Sequence, residues 1–125
     1  MEEIAVGKLV IQRSKFYAHV YKLAPGDGDE EIKLVLKEHR RKYKKANHHC
    51  WAACFGGGEE WKDDGEVGHP GKVMLEVLKK EGLDSHLLVV SRIFGGVKLG
   101  VGGVSRAFRS AAEGVVDQVV DETKE

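Results

Sequence analysis

The sequence contains little of what would place it in a special class of proteins. Its 125 residues include two cysteines, two prolines and 7% aromatic residues, and its formal net charge is zero. A neutral chain does not coat nucleic acid by charge alone. No apolar run approaches the roughly 20 residues of a membrane-spanning helix, and no charged-then-apolar signal stands at the N-terminus. We therefore expect a cytoplasmic protein without a membrane partner, large enough for one domain with a buried core.

The two cysteines, Cys50 and Cys54, lie in a segment that is predicted to form a strand. Four residues along a strand separate their Cα atoms by roughly 13 Å, beyond the roughly 7 Å limit for a disulfide bond, and the same distance prevents them from sharing one zinc ion. His48 and Cys50 lie on one strand face, about 7 Å apart, but supply only two ligands. We therefore expect no metal and no other cofactor, and interpret both cysteines as buried free thiols.

The most informative segment is a glycine-rich stretch between a predicted strand and a predicted helix. Five of its nine residues are glycine, namely Gly95, Gly96, Gly100, Gly102 and Gly103. Because the first N–H groups of a helix are unpaired and its N-terminus is positive, a strand, a glycine loop and a helix together can bind an anion. Lys98 and Arg106 add positive charge there. The segment therefore indicates a phosphate-facing surface.

The glycine spacing leaves a second interpretation open. It matches neither the P-loop nor the Gly-x-Gly-x-x-Gly motif of dinucleotide-binding folds, so no nucleotide site of a known type is indicated. Glycine also occurs where the chain needs left-handed dihedrals or approaches another segment closely. The alternative is therefore a loop that packs tightly against the sheet.

Three carboxylates, Asp63, Asp64 and Glu66, lie within four residues around Gly65. Such a cluster suits a hard divalent cation or a general acid–base pair, and nearby basic residues could bind a phosphate, as in a metal-assisted phosphodiesterase. The same composition is typical of an ordinary acidic turn. The sequence shows no arrangement of nucleophile, base and orienting group.

Hydrophobic periodicity predicts alternating strands and helices. Strands are expected at residues 4–12, 16–23, 49–55 and 87–94, and helices at residues 29–45, 71–80 and 103–120. Residues 59–66 are expected to form an acidic loop. Tyr17, His19 and Tyr21 alternate along the second strand and are expected on an exposed sheet face, together with Arg92. Two adjacent strands and three helices indicate a two-layer α+β domain with helices mainly on one face.

Four segments, in order along the chain, carry a resemblance to a known family. Residues 94–108 resemble the hallmark Phe-Gly-Gly-Ile-Lys-Leu-Gly-x-Gly-Gly-Leu-x-Arg-Ala-Tyr of the Impact/YigZ family. Residues 14–18 resemble its Ser-Arg/Lys-Phe-x-Ala strand, residues 46–52 its Ala-x-His-x-Cys-Trp-Ala segment, and residues 63–66 its Asp-Asp-Gly-Glu motif. The motifs add further candidate site residues: His48, Cys50, Trp51, Asp63, Asp64, Gly65 and Glu66.

The resemblance implies a fold similar to the second domain of ribosomal protein S5 (S5 domain 2-like), an α+β two-layer sandwich with a four- or five-stranded mixed sheet. It also implies a single Impact/YigZ-like domain over residues 1–125, without the ferredoxin-like C-terminal domain of many bacterial members or the RWD domain of eukaryotic ones. The polar residues 121–125 are expected to fray. Residues 67–71 depart from the family, whose loop is one residue longer and carries a threonine whose hydroxyl His69 cannot replace directly.

The resemblance implies a non-catalytic domain that binds RNA or the ribosome and takes part in translational regulation. The expected partners are a ribosome or structured RNA, or a translation-control protein. The alternatives are a protein-binding adaptor that uses the acidic loop or the open sheet edge, and a metal-dependent enzyme that acts on phosphodiesters or nucleotides. The residues expected to face phosphate are Arg92, Gly95, Gly96, Lys98, Gly100, Gly102, Gly103 and Arg106.

Overall fold

The computed structural model describes residues 1–123 as five strands and three helices. The strands are β1 (Glu2–Ile11), β2 (Ser14–Lys22), β3 (His48–Phe55), β4 (Gly58–Lys62) and β5 (His86–Ile93), and the helices are α1 (Asp29–Lys42), α2 (Pro70–Lys80) and α3 (Gly100–Thr123). The segment that is expected to fray is helical through Asp121 and Glu122, while Lys124 and Glu125 lie outside the described residues. No described helix is long and apolar enough to cross a membrane.

The five strands form one open sheet in the order β1-β2-β5-β3-β4, and each neighbouring pair is antiparallel. The last strand in sequence, β5, lies between β2 and β3, so β2 and β3 run parallel to each other without being neighbours. The expected α+β fold with helices mainly on one face is confirmed. The expected mixed sheet is wrong, because the inserted β5 separates the two strands that α1 connects.

Both faces of the sheet are covered by helices. On one face, α2 and α3 cover the larger core, which includes Phe16, Cys50, Met74, Leu78, Val90 and Phe108. On the other face, α1 covers a smaller core, which includes Tyr21, Ile32, Val35, Trp51, Leu87 and Val89. The two expected layers are therefore extended by a partial third layer. The central strand β3 buries apolar side chains on both faces, as its sequence predicts.

The sequence does not predict the edge strand β4. It pairs with β3 in a register that runs from Phe55 opposite Gly58 to Trp51 opposite Lys62. All five residues of β4 are exposed, so the strand lacks the alternation of apolar and polar residues from which strands are recognised. The expectation of one acidic loop over residues 59–66 is therefore wrong for its first half.

Two backbone features position the site described below. The β1–β2 hairpin has a two-residue turn, and both residues, Gln12 and Arg13, have positive φ (44° and 70°), as type I′ hairpins require. This turn places Ser14 at the start of β2. At the other end, α3 begins at Gly100 rather than Gly103, so the last glycines of the loop belong to the first helical turn.

Candidate functional site

Predicted site residues converge on a cleft where β3 begins and β5 ends. The cleft has a volume of about 580 Å³ and lies between the loop that follows β4 and the start of α3. Its walls are formed by Asn47, His48, Val67, Arg92, Phe94, Lys98, Gly100, Val101 and Val104. Four residues singled out in the sequence, His48, Arg92, Lys98 and Gly100, therefore meet at one place.

Arg92 is a buried cation at the wall of the cleft. Its Nη1 donates a hydrogen bond to Glu66 Oε2 at 3.0 Å, and both side chains are almost inaccessible (8% and 4% exposed). Its Nη2 donates to Ser14 Oγ at 3.3 Å, whereas its Nε has no partner among the described residues. The guanidinium lies 5.8 Å from the ring centroid of Phe94, within cation–π distance. Arg92 is thus held by an anion, a hydroxyl and an aromatic ring.

The expectation that Arg92 shares an exposed sheet face with Tyr17, His19 and Tyr21 is wrong. Side chains alternate along a strand, and Arg92 is paired across the sheet with Phe16, which belongs to the α2–α3 face. Tyr17 is paired with Ser91, on the opposite face. That opposite face is covered by α1, which leaves His19 and Tyr21 only 2% and 8% exposed.

The two aspartates of the acidic motif bind backbone N–H groups. Asp63 Oδ1 accepts a hydrogen bond from Gly71 N at 2.9 Å, in the first turn of α2, whose N-cap residue His69 provides no side-chain cap. Asp64 Oδ2 accepts one from His49 N at 2.8 Å. The neighbouring His48 donates from Nδ1 to the carbonyl oxygen of Asp64 at 2.8 Å. The motif therefore fastens its loop to β3 and caps α2.

All three carboxylates of the motif are thus engaged by groups of the protein itself. Asp63 and Asp64 bind separate backbone amides, and Glu66 binds Arg92. Within residues 1–123 no group of three or more His, Cys, Asp or Glu side chains is placed to hold a metal ion. The geometry therefore favours the structural interpretation of the acidic turn over a metal-binding one.

Two other residues of the motifs also have structural positions. Cys50 donates from Sγ to the carbonyl oxygen of Asp63 at 3.1 Å. Burial, and to a smaller extent the nearby carboxylates of Glu66, Asp64 and Asp63, raise the pKa of this thiol, so it is not an activated nucleophile. Trp51 points to the opposite face of the sheet, into the core beneath α1, and does not belong to the cleft.

Several glycines of the loop meet conformational or packing requirements. A Cβ atom at Gly95 would lie 2.1 Å from the carbonyl carbon of Arg13, and Gly95 N donates a hydrogen bond to Ser14 Oγ at 3.3 Å. The loop therefore packs directly against the β1–β2 turn. Gly96 and Gly100 have φ values of +87° and +75°, in the region that favours glycine. The packing interpretation of the glycine loop is thus confirmed at Gly95.

Other glycines bring the two loops of the cleft together. A Cβ at Gly68 would lie 2.8 Å from the carbonyl oxygen of Val101, so the loop after β4 packs against the first turn of α3. Gly65, with a φ of +77°, lies against the His48 ring, which is 3.8 Å from the position of a Cβ. Gly102 leaves room for the Arg106 guanidinium, because a Cβ there would lie 3.1 Å from Arg106 Nη1.

Lys98 and Arg106 are exposed cations near the start of α3. Neither has an ion-pair partner among the described residues. Lys98 lines the cleft itself, and Arg106 folds back over the first turn of the helix. By contrast, Glu66 neutralises Arg92 at 3.0 Å. Lys98 and the N-terminus of α3 therefore bring positive charge to the cleft, whereas Arg106 is not part of its lining.

Sequence reasoning missed several residues of the cleft. Ser14 accepts hydrogen bonds from both Arg92 and Gly95. The sequence signal that could have identified it is its place as the first residue of the family's Ser-Arg/Lys-Phe-x-Ala strand. Phe94, Val67 and Val101 form much of the cleft wall. Phe94 opens the glycine-rich motif quoted above, but no sequence pattern places Val67 and Val101 beside it, because the cleft joins loops far apart in sequence.

The comparison with known proteins gives a consistent assignment. The sequence pattern of the Impact N-terminal domain matches residues 12–116. The IMPACT family member in the pol 5′ region of Thermus thermophilus is 41% identical over 103 residues, which is 82% of this chain and 55% of that protein. YvyE of Bacillus subtilis is 35% identical over 120 residues, 92% of this chain and 54% of that protein. YigZ of Escherichia coli is 32% identical over 91% of this chain and 57% of its own length.

The chain thus spans little more than half the length of these relatives. A crystal structure of a hypothetical protein superposes with a TM-score of 0.82 at 29% identity, over 94% of this chain and 62% of the other. The two-domain translational regulator Yih1 superposes with a TM-score of 0.54 at 22% identity, over 93% of this chain and 46% of that protein. The second likeness concerns the fold alone.

Proposed function

Because this chain belongs to the Impact family, we propose that it is a non-catalytic, cytoplasmic binding domain that acts in translational regulation and contacts RNA or the ribosome. The observation that carries the proposal is the cleft, which is lined by the exposed Lys98 and by the N-terminus of α3, with a second exposed cation, Arg106, further along that helix. Backbone phosphates are the anions that such a surface recognises in RNA.

The translational part of the proposal draws on the Impact relatives and on Yih1, which is described as a translational regulator. This chain spans 46% of Yih1 and a little over half of its bacterial relatives. We propose that the contribution of this chain to translational regulation is to recognise the RNA or ribosomal partner.

The charge distribution explains how a neutral chain can bind RNA. Lys98 supplies a positive charge in the cleft, the start of α3 adds a partial positive charge, and Arg106 is a further exposed cation on that helix. Glu66 is paired with the buried Arg92 at 3.0 Å and also lies 3.7 Å from His48 Nε2. A few such contacts orient an RNA without requiring a strongly basic protein.

The experiment is co-sedimentation with ribosomes from a related organism at low and moderate salt. We expect the Lys98→Ala/Arg106→Ala variant to bind more weakly and to show a salt dependence shallower by about 1–2 in log–log slope, because two phosphate contacts are lost. Arg92 is left unchanged because it is buried against Glu66, so its replacement would affect folding.

The matched control is Lys37→Ala/Arg41→Ala, which removes the same charge from exposed positions of α1, on the other side of the sheet. It should bind like the wild type. Equal affinity and equal salt slope for the wild type and the Lys98→Ala/Arg106→Ala variant would contradict the phosphate-facing cleft.

A second candidate function, a protein-binding adaptor, is favoured by the edge strand β4. Its outer N–H and C=O groups face no further strand among the described residues, and Trp61 is 43% exposed. A cavity of about 550 Å³ lies beside it, bounded by Glu59 and Lys79, which are paired at 2.8 Å. An extended peptide could add to this edge and place a side chain in the cavity.

Crosslinking followed by pull-down, with and without nuclease, distinguishes the two candidates. One protein captured by the wild type after nuclease treatment and lost with Trp61→Ala would support the adaptor. The control is Leu34→Ala, a change at another exposed apolar residue. If the Trp61→Ala variant captures the protein as well as the Leu34→Ala variant does, the adaptor function is contradicted.

A further inference from the structure

We propose that the cleft binds one unpaired nucleotide of a single-stranded RNA segment, with the base against Phe94 and an adjoining phosphate at Lys98 and the first turn of α3. This inference rests on the proposed function and narrows its substrate class to RNA whose bases are free of pairing. In this proposal the apolar wall of the cleft binds the base, and Lys98 with the first turn of α3 binds the phosphate.

The apolar wall is the first observation behind the proposal. Eight large hydrophobic side chains are exposed in the described chain, and three of them, Val67, Phe94 and Val101, line this one cleft, with exposures of 49%, 48% and 61%. A volume of about 580 Å³ lies within the roughly 300–1,000 Å³ of small-ligand pockets. Exposed apolar surface gathered around one cavity marks a binding surface rather than chance exposure.

Phe94 is held in a way that suits stacking. The Arg92 guanidinium lies 5.8 Å from its ring centroid, and Arg92 is itself fixed by Glu66 at 3.0 Å. The ring is therefore supported from the protein side while nearly half of the side chain remains exposed. Aromatic side chains presented in this way bind the π-face of an unstacked base.

Unused polar groups in the cleft are the second observation. Arg92 is 7% exposed, and its Nε is a buried donor without a partner among the described residues. An unsatisfied donor of this kind is costly. The Arg92 side chain lines the cleft, but its Nε is enclosed, so an acceptor on a bound ligand would pair with it only after a shift of the side chain. His48 donates from Nδ1 to the Asp64 carbonyl, and its Nε2, 3.7 Å from Glu66, is too distant to share a hydrogen bond with that carboxylate.

The combination favours a nucleotide over an apolar protein side chain. An apolar peptide residue would use Phe94 and the valines but would leave Lys98, which lines the same cleft, unpaired. A nucleotide uses both, because each base is attached to a phosphate. A duplex is disfavoured, since its bases are stacked and paired and cannot enter a cleft between two loops.

The experiment measures fluorescence anisotropy with a labelled short oligouridine and with the same strand paired to its complement. We expect the single strand to bind at least about tenfold more tightly than the duplex. Phe94→Ala should weaken single-strand binding about tenfold with little change in salt slope, because stacking carries no counterion release. Phe94→Trp should restore the binding.

The variants are chosen so that folding and function can be separated. Phe94 is half-exposed, and thermal unfolding of Phe94→Ala should resemble that of Leu34→Ala, a change at an exposed apolar residue of α1. Lys98→Ala/Arg106→Ala should weaken binding of both oligonucleotides and flatten the salt dependence. Loss of Phe94 should therefore lower the affinity with little change in salt dependence, whereas loss of the two cations should change both.

The outcomes that overturn the inference differ from those that overturn the proposed function. Equal binding of the single strand and the duplex would contradict a site for an unpaired base. Oligouridine binding that Phe94→Ala leaves unchanged would contradict it as well. If ribosome binding still depended on Lys98 and Arg106, the proposed function would stand. Absence of both ribosome and oligonucleotide binding would reject both, and a nuclease-resistant protein partner that depends on Phe94 would replace RNA as the ligand.

Discussion

Two neighbouring residues of β5, Ser91 and Arg92, point to opposite faces of the sheet and belong to two polar networks of different character. The first, here called the arginine network, comprises Ser14, His48, Glu66 and Arg92 and lies beside the cleft. The second, the histidine network, lies beneath α1 and comprises His19, Tyr21, His39, Tyr43, His49 and Ser91.

The arginine network keeps its charges and pairs them. Arg92 and Glu66 are 3.0 Å apart with side chains only 8% and 4% exposed. Removing two ions from water is costly, and hydrophobic replacements of such pairs are often no less stable. A buried ion pair is therefore weak evidence for stability. Its position behind Phe94 suggests the hypothesis that it is retained to hold the wall of the cleft, and the binding experiments on Phe94 test that hypothesis.

The histidine network instead keeps its buried imidazoles neutral, and its carboxylate contact is at the edge, where half-exposed Glu3 accepts a hydrogen bond from His19 Nδ1 at 2.6 Å. His39 shares hydrogen bonds with the Tyr21 hydroxyl at 2.8 Å and with Ser91 Oγ at 3.1 Å. Burial, followed by the charges of His19, His49 and Lys42, lowers the pKa of His39 to about 3. Burial also lowers the pKa of His19 and of His49. The comparison shows that one sheet can bury polar groups in two ways, as a charged pair beside the cleft and as neutral imidazoles beneath a packed helix.

The largest effect should come from removing one partner of the arginine network. Glu66→Ala leaves Arg92 buried without its carboxylate, and we expect a loss of about 3–5 kcal/mol in the free energy of unfolding. Urea denaturation at neutral pH measures it. A loss below about 1 kcal/mol would show that the pair is effectively solvated from the cleft.

A double variant tests whether charge is the cause. Glu66→Met/Arg92→Met removes both ions, and its loss should be smaller than the sum of the losses of the two single variants, because no unpaired charge stays buried. Additive losses would mean that the two side chains stabilise the fold independently, and the arginine network would then not act as a unit.

Acid should destabilise the fold through the histidine network. The folded-state pKa of His39 lies below its unfolded value of 6.5, so the unfolded chain binds more protons and stability falls as the pH drops below that value. With a folded pKa of about 3, the loss between about pH 7 and about pH 5 is about 2 kcal/mol from His39 alone. His19 and His49 act in the same direction.

The pH dependence has its own control. Urea denaturation of His39→Gln at the same two pH values should show a smaller difference in stability than the wild type does. His69→Gln, at a side chain that is 86% exposed, should leave the difference unchanged. A wild type that is equally stable at both pH values would contradict the neutral burial of these histidines.

The sequence predicts much of the fold because its elements follow from local patterns. The alternation along β3, and the helical periodicity of α2 and α3, predict which side chains meet in the core, and the structure confirms this for Cys50, Met74 and Phe108. β4 is not predicted because all five residues of this edge strand are exposed, so its sequence has no alternation of apolar and polar residues.

The site is less predictable, because its contacts join segments that are distant along the chain. Arg92 is 26 residues from Glu66 and 78 from Ser14, and no spacing rule relates them. Tyr17, His19 and Tyr21 look like an exposed face because their side chains carry polar groups. They are covered because His39 of α1 and Tyr43, which directly follows the helix, supply hydrogen-bonding and stacking partners on this face.

The smallest predicted effect separates a buried hydrogen bond from mere aromatic packing. Tyr21→Phe removes the hydroxyl bonded to His39 Nε2 at 2.8 Å and should cost about 1–2 kcal/mol, since the imidazole loses a buried partner. Tyr17→Phe, two residues earlier on the same strand face, keeps the ring stacked on Tyr43 at 4.5 Å and should be nearly neutral. Urea denaturation of both variants gives the comparison. Equal losses would mean that α1 is held by ring packing alone and that the neutral hydrogen bonds of this face add little to the free energy of unfolding.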